Sequence, residues 1–235
     1  MNWNVSELLG RDIVSASANF AATYSWSCSA RGWEVQGAGV ASTASRWTNQ
    51  PGVSGPVVSS SETYGYSSAC PARYVAVGIT PIVSAWAAGG TAVVGLRVKA
   101  QSETDNFGWK YFSSAEGGNP PYLEVDYNGP PAPATDLHLT AEGESVDAAG
   151  VRWTRSAGPV ASIASSDPDG NALQAGAQLT GNAHVQMTSV SSFGRAGWSM
   201  ADLRGSPLVP YQVRELRVDV FDGRLWSGNQ WFELA

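Results

Sequence analysis

Ten tryptophans in 235 residues are the side chains of this chain best suited to chemistry, and that chemistry is stacking. An exposed aromatic ring offers its face to the apolar C–H face of a pyranose, while nearby Asn, Gln, Asp or Arg bond the hydroxyls. Trp33, Tyr64, Tyr66 and Trp109 are the candidates for such a surface. Tyr64-Gly65-Tyr66 lies in a Ser- and Gly-rich stretch that reads as a loop, and Trp109 stands between Gly108 and Lys110. The competing reading is that most of these rings fill a core, where aromatic side chains contribute the largest apolar area.

Acid–base catalysis is poorly provided for. The two histidines, His138 and His184, have no nucleophile beside them in a known arrangement. General acid–base work needs a group poised near its working pH, or a metal. No GxSxG, HExxH or phosphate-loop pattern occurs. A glycan-active enzyme would bring two distant carboxylates face to face across a cleft, and no such pair is signalled. Lys99 and Lys110, the only lysines, lack a recognisable partner amide and helper carboxylate for an internal isopeptide bond.

Asp167, Asp169 and Asn171 place oxygen ligands at alternate positions, a pattern able to contribute to a Ca²⁺ site. No acidic residue stands a few positions downstream to complete an EF-hand, so further ligands would come from another loop. The same residues also read as an Asp-Pro-Asp-Gly turn, in which Pro168 and Gly170 set the backbone angles. The cysteines, Cys28 and Cys70, show no metal spacing. Either they are buried free thiols or they form one disulfide between strands of the first half. The second reading gains weight if the protein is exported.

The elements that must position these residues are strands. Charged residues make up 14% of the chain, below the usual ~25%. Ser, Thr, Gly, Asn and Gln carry the polarity, which suits short strands joined by turns. Period-two or apolar strand signals run over Ile13 to Tyr24, Trp33 to Val40, Tyr74 to Ile79, Val93 to Val98 and Tyr122 to Tyr127. A short helix is expected from Thr80, as N-cap, with Pro81 at its first position, to Gly89-Gly90. Gly129-Pro130-Pro131-Ala132-Pro133-Ala134-Thr135 reads as a stiff extended linker. Beyond it, strand signals run over Asp136 to Thr140, Val160 to Ala164, Leu173 to Leu179, Val185 to Val190 and Tyr211 to Phe221. A last edge strand is expected around Phe232 and Leu234.

The expected organisation is therefore a β-sandwich over 1–128, a linker over 129–135 and a second sandwich over 136–235. The net charge of −6 and the lack of a basic cluster argue against nucleic acid as a partner. No stretch of about 18 apolar residues occurs, so no membrane-inserted helix is expected. The N-terminus has no basic region leading into an apolar run and does not read as a signal peptide. A signal and further domains are expected upstream in the natural protein.

Several pieces of the first half resemble the DNRLRE family, modules of secreted bacterial proteins. Leu9-Gly10-Arg11-Asp12-Ile13-Val14-Ser15-Ala16 is similar to its opening strand, and Trp47-Thr48-Asn49-Gln50-Pro51 to one of its turns. Tyr24-Ser25-Trp26-Ser27-Cys28 and Ala69-Cys70-Pro71 resemble the cysteine-bearing version found in actinobacterial members. Gly95-Leu96-Arg97, Gly108 to Ser114, Asn119-Pro120 and Leu123 to Asn128 resemble its closing strands. The resemblance covers about Trp3 to Asn128 and makes Trp26 and Trp47 packing residues. Family members usually begin with strands that precede this chain's start, so the expectation is a sheet edge that is either left open or filled by another segment of the native protein.

The second half resembles the immunoglobulin- or fibronectin type III-like domain that often comes after such modules. Asp167 to Gly170, Tyr211 to Arg214 and Asp222 to Ser227 carry that likeness. It makes Trp226 to Trp231 a structural motif, with Arg214 and Arg217 placed to stack between tryptophans. The two resemblances imply a jelly-roll-like β-sandwich followed by an immunoglobulin- or fibronectin-like one; the lack of catalytic motifs and metal spacing described above makes a non-enzyme with no cofactor, apart from the Ca²⁺ considered above, the expectation. They imply a secreted or cell-surface segment with a role in attachment or display, adjoining other domains of a larger polypeptide; some relatives serve as carbohydrate-binding modules, which makes polysaccharide a candidate ligand and leaves its identity open. The alternatives are a purely structural segment of an adhesion or RHS-type toxin-delivery protein, and a glycan-active enzyme.

Overall fold

A computed structural model describes residues 1–140, 144–155, 159–180, 186–190, 193–199, 203 and 214–234. The chain is all-β and divides into two compact units, Met1–Asn128 and Gly129–Ala235. His184 and the 211–213 part of the strand expected from Tyr211 lie outside the described residues.

The first unit contains β1 (Asn2–Asn4), β2 (Asp12–Ser25), β3 (Trp33–Ala38), β4 (Val53–Ser60), β5 (Arg73–Gly78), β6 (Val93–Ala100), β7 (Lys110–Phe112) and β8 (Tyr122–Asn128). One sheet runs β1-β6-β3-β4, and its end strands β1 and β4 each pair on one side among the described residues. The other sheet is built on β2, which pairs with β5 on one flank and with β8, then β7, along the other. Between the sheets lies one core, with Ala18 and Phe20 of β2, Val75 and Val77 of β5, Trp33 and Val35 of β3 and Leu96 of β6. Helix α1 (Thr80–Gly89) buries Ile82 and Val83 in the same core. It stops at Gly90, whose φ of 71° is the left-handed value glycine adopts without strain. Thr80 is not the N-cap: Ile79 holds that place, and Thr80 Oγ1 instead accepts from the Ala16 amide at 3.0 Å, tying α1 to β2.

The second unit contains β9 (Thr135–Thr140), β10 (Ser145–Val146), β11 (Arg152–Trp153), β12 (Val160–Ser166), β13 (Leu173–Leu179), β14 (Gln186–Val190), β15 (Phe193–Ser199), β16 (Arg214–Phe221) and β17 (Gln230–Leu234). A sheet β15-β12-β9 and a sheet β10-β11-β17-β16-β13-β14 enclose a core of Leu137, Leu139, Ile163, Trp198, Leu173, Leu216, Val218 and Val220, among others. That is a β-sandwich, with alternate residues of β12 and β16 turned inward.

Residues 129–134 are part of this unit. The Gly129 amide donates to Asp169 Oδ2 at 2.6 Å, the Ala132 amide to Ser166 O at 2.8 Å, and Ala134 is buried in the core. Prolines keep the segment out of a regular strand, but these two amides bind to the sandwich.

Candidate functional site

The first unit carries a cluster of exposed rings at one end of β2, and the cause is a β-bulge. Along β2 the even-numbered residues Ala16, Ala18, Phe20 and Ala22 face the core. Continued alternation would bury Tyr24 and Trp26. Between Ala22 and Tyr24 the register with β7 shifts, and the extra residue reverses the faces. Ser25 is buried instead, while Tyr24 and Trp26 point outward at 36% and 48% exposure. Opposite them, Tyr111 pairs with Tyr24 and Lys110 with Ser25, so Trp109 and Tyr111 share the outer face.

The four rings touch in sequence. Trp26 lies 6.0 Å from both Tyr24 and Trp109, Tyr24 lies 5.7 Å from Trp109, and Trp109 lies 5.7 Å from Tyr111. Trp26 and Trp109 also line an open cleft of about 800 Å³ with Trp47, Phe107, Lys99 and Glu103. Trp47 is 75% exposed. Trp26 and Trp47 are therefore surface rings, contrary to their expected packing role.

The cleft wall is held in place by its own polar groups. Asp105 Oδ1 accepts from the Phe107 amide at 2.9 Å and caps the 3₁₀ turn Asn106–Gly108 that leads into Trp109. Its Oδ2 meets Arg31 Nε at 3.0 Å as an ion pair, and the Arg31 guanidinium lies over Phe107. Lys99 Nζ sits 3.3 Å from Glu34, which offsets its charge. On the inner face of β7, Lys110 Nζ donates to Thr63 Oγ1 at 2.7 Å. Burial, then the charge of Arg31, hold the Lys110 pKa below the ordinary lysine range. The disulfide Cys28–Cys70 fixes the chain two residues past Trp26 to the 61–72 loop.

The expected ring residues separate. Trp109 belongs to the cluster. Trp33 does not: it is 1% exposed, its Nε1 donates to Glu62 O at 3.1 Å, and it packs against Phe20 and Phe112 in the core. The reason is its place on β3, where alternate residues Trp33, Val35 and Gly37 all face inward. Tyr64 is half-buried, with Arg73 4.9 Å from its ring centroid, and a hydrogen bond with Glu62 holds its phenol above the ordinary range. Tyr66 is exposed but makes no ring contact among the described residues. Gly65 between them has φ +90°, and a Cβ there would lie 2.5 Å from the Thr23 carbonyl carbon. The loop thus lies directly against the backbone of the bulge.

The structure brings Asp167, Asp169 and Asn171 together as a turn. Asp167 Oδ1 accepts from the amides of Asp169 at 2.8 Å and Asn171 at 3.1 Å, and Asp169 Oδ2 is taken by Gly129. Those oxygens bond backbone donors, which is the work of an Asx turn. Among the described residues, no group of three or more His, Cys, Asp and Glu gathers around a common point. His138 lies on the surface with Nε2 3.0 Å from Asp136 Oδ1. Arg217, expected to stack between tryptophans, instead donates to Asn229 and pairs with Asp219.

A two-sandwich β-protein with an aromatic cleft in its first unit is the class these observations define. No family model and no curated protein matches the chain. Among solved structures, the crystal structure of Amycolatopsis orientalis exo-chitosanase CsxA is similar over 99% of this chain, at 14% identity and a TM-score of 0.27. The chain spans 24% of that structure's length, and a likeness this slight carries no argument.

Proposed function

We propose that this chain is a non-catalytic, extracellular segment that binds a neutral polysaccharide along the aromatic cleft of its first unit. The observation that carries this reading is the run of touching, solvent-exposed rings Trp26, Tyr24, Trp109 and Tyr111, continued by Trp47 across the cleft. Leaving so much apolar ring area in water is unfavourable unless a partner covers it. A row of rings beside polar groups matches the alternating C–H faces and hydroxyls of a sugar chain. The bulge, the capped turn and the disulfide restrain the rings before binding, which lowers the entropy lost on association.

The same rings could stack on nucleic acid bases, but phosphates need unpaired cations. Lys99 faces Glu34, Arg31 faces Asp105, and the whole chain carries −6. Of the two carboxylates that line the cleft, Glu103 and Asp105, the second has both oxygens engaged, one by the turn and one by Arg31. The disulfide supports an oxidising compartment. Among the described residues, no helix is long and apolar enough to cross a membrane.

Affinity electrophoresis of the full chain through soluble β-glucan, xylan, mannan and galactan, with pull-down on cellulose and chitin, tests the proposal. Retardation by at least one polymer is expected, with loss of about tenfold or more in affinity in Trp26→Ala and Trp109→Ala and little change in Tyr66→Ala. An unretarded wild-type chain on every polymer would make the segment a structural spacer.

A further inference from the structure

We infer that the second unit holds a separate saccharide site, centred on Trp226, that takes the end of a neutral glycan of one or two residues. The inference rests on the second unit alone and does not depend on the cleft of the first.

On β16 the buried residues Leu216, Val218 and Val220 alternate with Arg217, Asp219 and Phe221 on the opposite face. The neighbouring strands extend that face. Gln178 of β13 stands opposite Arg217, Gly176 opposite Asp219, and Met187 of β14 opposite Gly176. Because Gly176 has no side chain, the sheet dips between Asp219 and Met187. The result is an open hollow of about 490 Å³ lined by Gln178, Met187, Arg217, Asp219, Trp226 and Asn229, among others. That size falls within the range of small-ligand sites.

The wall of the hollow is Trp226, and its turn is tightly bound. Asp222 Oδ1 accepts from the amides of Arg224 and Leu225 at 2.7 and 2.6 Å. The Ser227 amide donates to Val220 O at 2.8 Å, and the Val220 amide to Ser227 Oγ at 3.1 Å. Phe221 backs one face of the indole at 4.6 Å and 27°, yet Trp226 is 51% exposed. A ring supported on one face and wet on the other is a stacking platform, prepared before any ligand arrives.

The polar groups beside it are equally fixed. Arg217 Nε donates to Asn229 Oδ1 at 2.7 Å, and its Nη2 donates to Asp219 Oδ2 at 2.9 Å. This pair presents donors and acceptors side by side, the complement of two adjacent sugar hydroxyls. Its charges cancel. An anionic ligand would meet the Asp219 carboxylate and a cationic one the Arg217 guanidinium, so a neutral polyol is the chemistry that satisfies both. Stacking on Trp226 supplies the apolar contact that a free polyol lacks and a pyranose face provides.

The test is made on the full chain carrying Trp26→Ala and Trp109→Ala, so that the first cleft is disabled. The indole N–H resonance of Trp226 is monitored while glucose, galactose, mannose, xylose, N-acetylglucosamine and their β-linked dimers are added. At least one should shift it saturably. The further substitution Asp219→Asn, which keeps the side chain's size, should weaken that ligand about tenfold. No saturable shift with any of these sugars, or a shift unchanged by Asp219→Asn, would overturn the inference. Because the first cleft is already disabled, either result is independent of polysaccharide binding there.

Discussion

Trp26 and Trp33 are close in sequence, lie in the same unit, and have opposite fates. Trp33 lies at the start of β3, 1% exposed, with its indole N–H spent on the Glu62 carbonyl. Trp26 stands just past the end of β2, 48% exposed and in contact with two other rings. Residue type does not separate them. The difference lies in the phase of the strand each belongs to, and the phase of β2 is reset at one bulge. A stacking surface can therefore be made from rings that an unbroken strand would have buried.

The contrast is broken most severely by Trp33→Ala. Removing a fully buried indole should cost about 3–5 kcal/mol in denaturant unfolding, whereas Trp26→Ala should cost under about 1 kcal/mol. If the two costs are alike, Trp26 belongs to the core and the cleft reading fails. Next comes the bridge that pins the chain just past Trp26. Replacing both Cys28 and Cys70 with Ser opens a cross-link of 42 residues in sequence separation and should cost about 2–4 kcal/mol. It should also weaken polysaccharide retention of the folded protein, because Trp26 loses a restraint that Trp33 never needed.

Gly65→Ala sharpens the role of the bulge. Its positive φ and the closeness of the Thr23 backbone leave no room for a Cβ, so a loss of about 2 kcal/mol is expected in thermal or denaturant unfolding. Retention should fall together with stability, since the displaced backbone carries Tyr24. The smallest effect is electrostatic. Lys110 has its folded pKa lowered by burial, so the folded state gives up this proton before the unfolded state does. Stability should gain slightly as pH rises from the lowered value towards about 10.4, the unfolded lysine value. Lys110→Met should remove that gain when the two pH–stability profiles are compared.

Much of the strand framework was legible. The signals at Ile13 to Tyr24, Tyr74 to Ile79 and Tyr122 to Tyr127 correspond to β2, β5 and β8 within a residue or two, because their apolar patterns meet a core directly. β4 was not legible. Its sequence Val-Ser-Gly-Pro-Val-Val-Ser-Ser breaks alternation with Gly55 and Pro56, and it is a strand only because β3 pairs with it along one edge. The 129–135 segment read as a linker because prolines exclude regular structure. That reading could not register the Asp169 and Ser166 acceptors, distant in sequence, that bind its amides.

The candidate site divides along the same line. Trp109 was legible because Gly108 marks a turn, and a turn at the surface exposes the side chain next to it. Trp26 and Trp47 were not, since an aromatic residue at the end of a strand or in a loop has the same local pattern whether it faces core or water.

By itself the sequence determined the all-β class, the apolar faces of most strands, the helix from Thr80 to Gly89 and the abundance of rings. These arise from residue type and local period, which act over a few positions. Only the tertiary structure decided which rings meet water, whether the two cysteines join and what the carboxylates of the Asp167 turn hold. Each of those depends on a partner far along the chain, and strand register transmits that choice to every side chain beyond it.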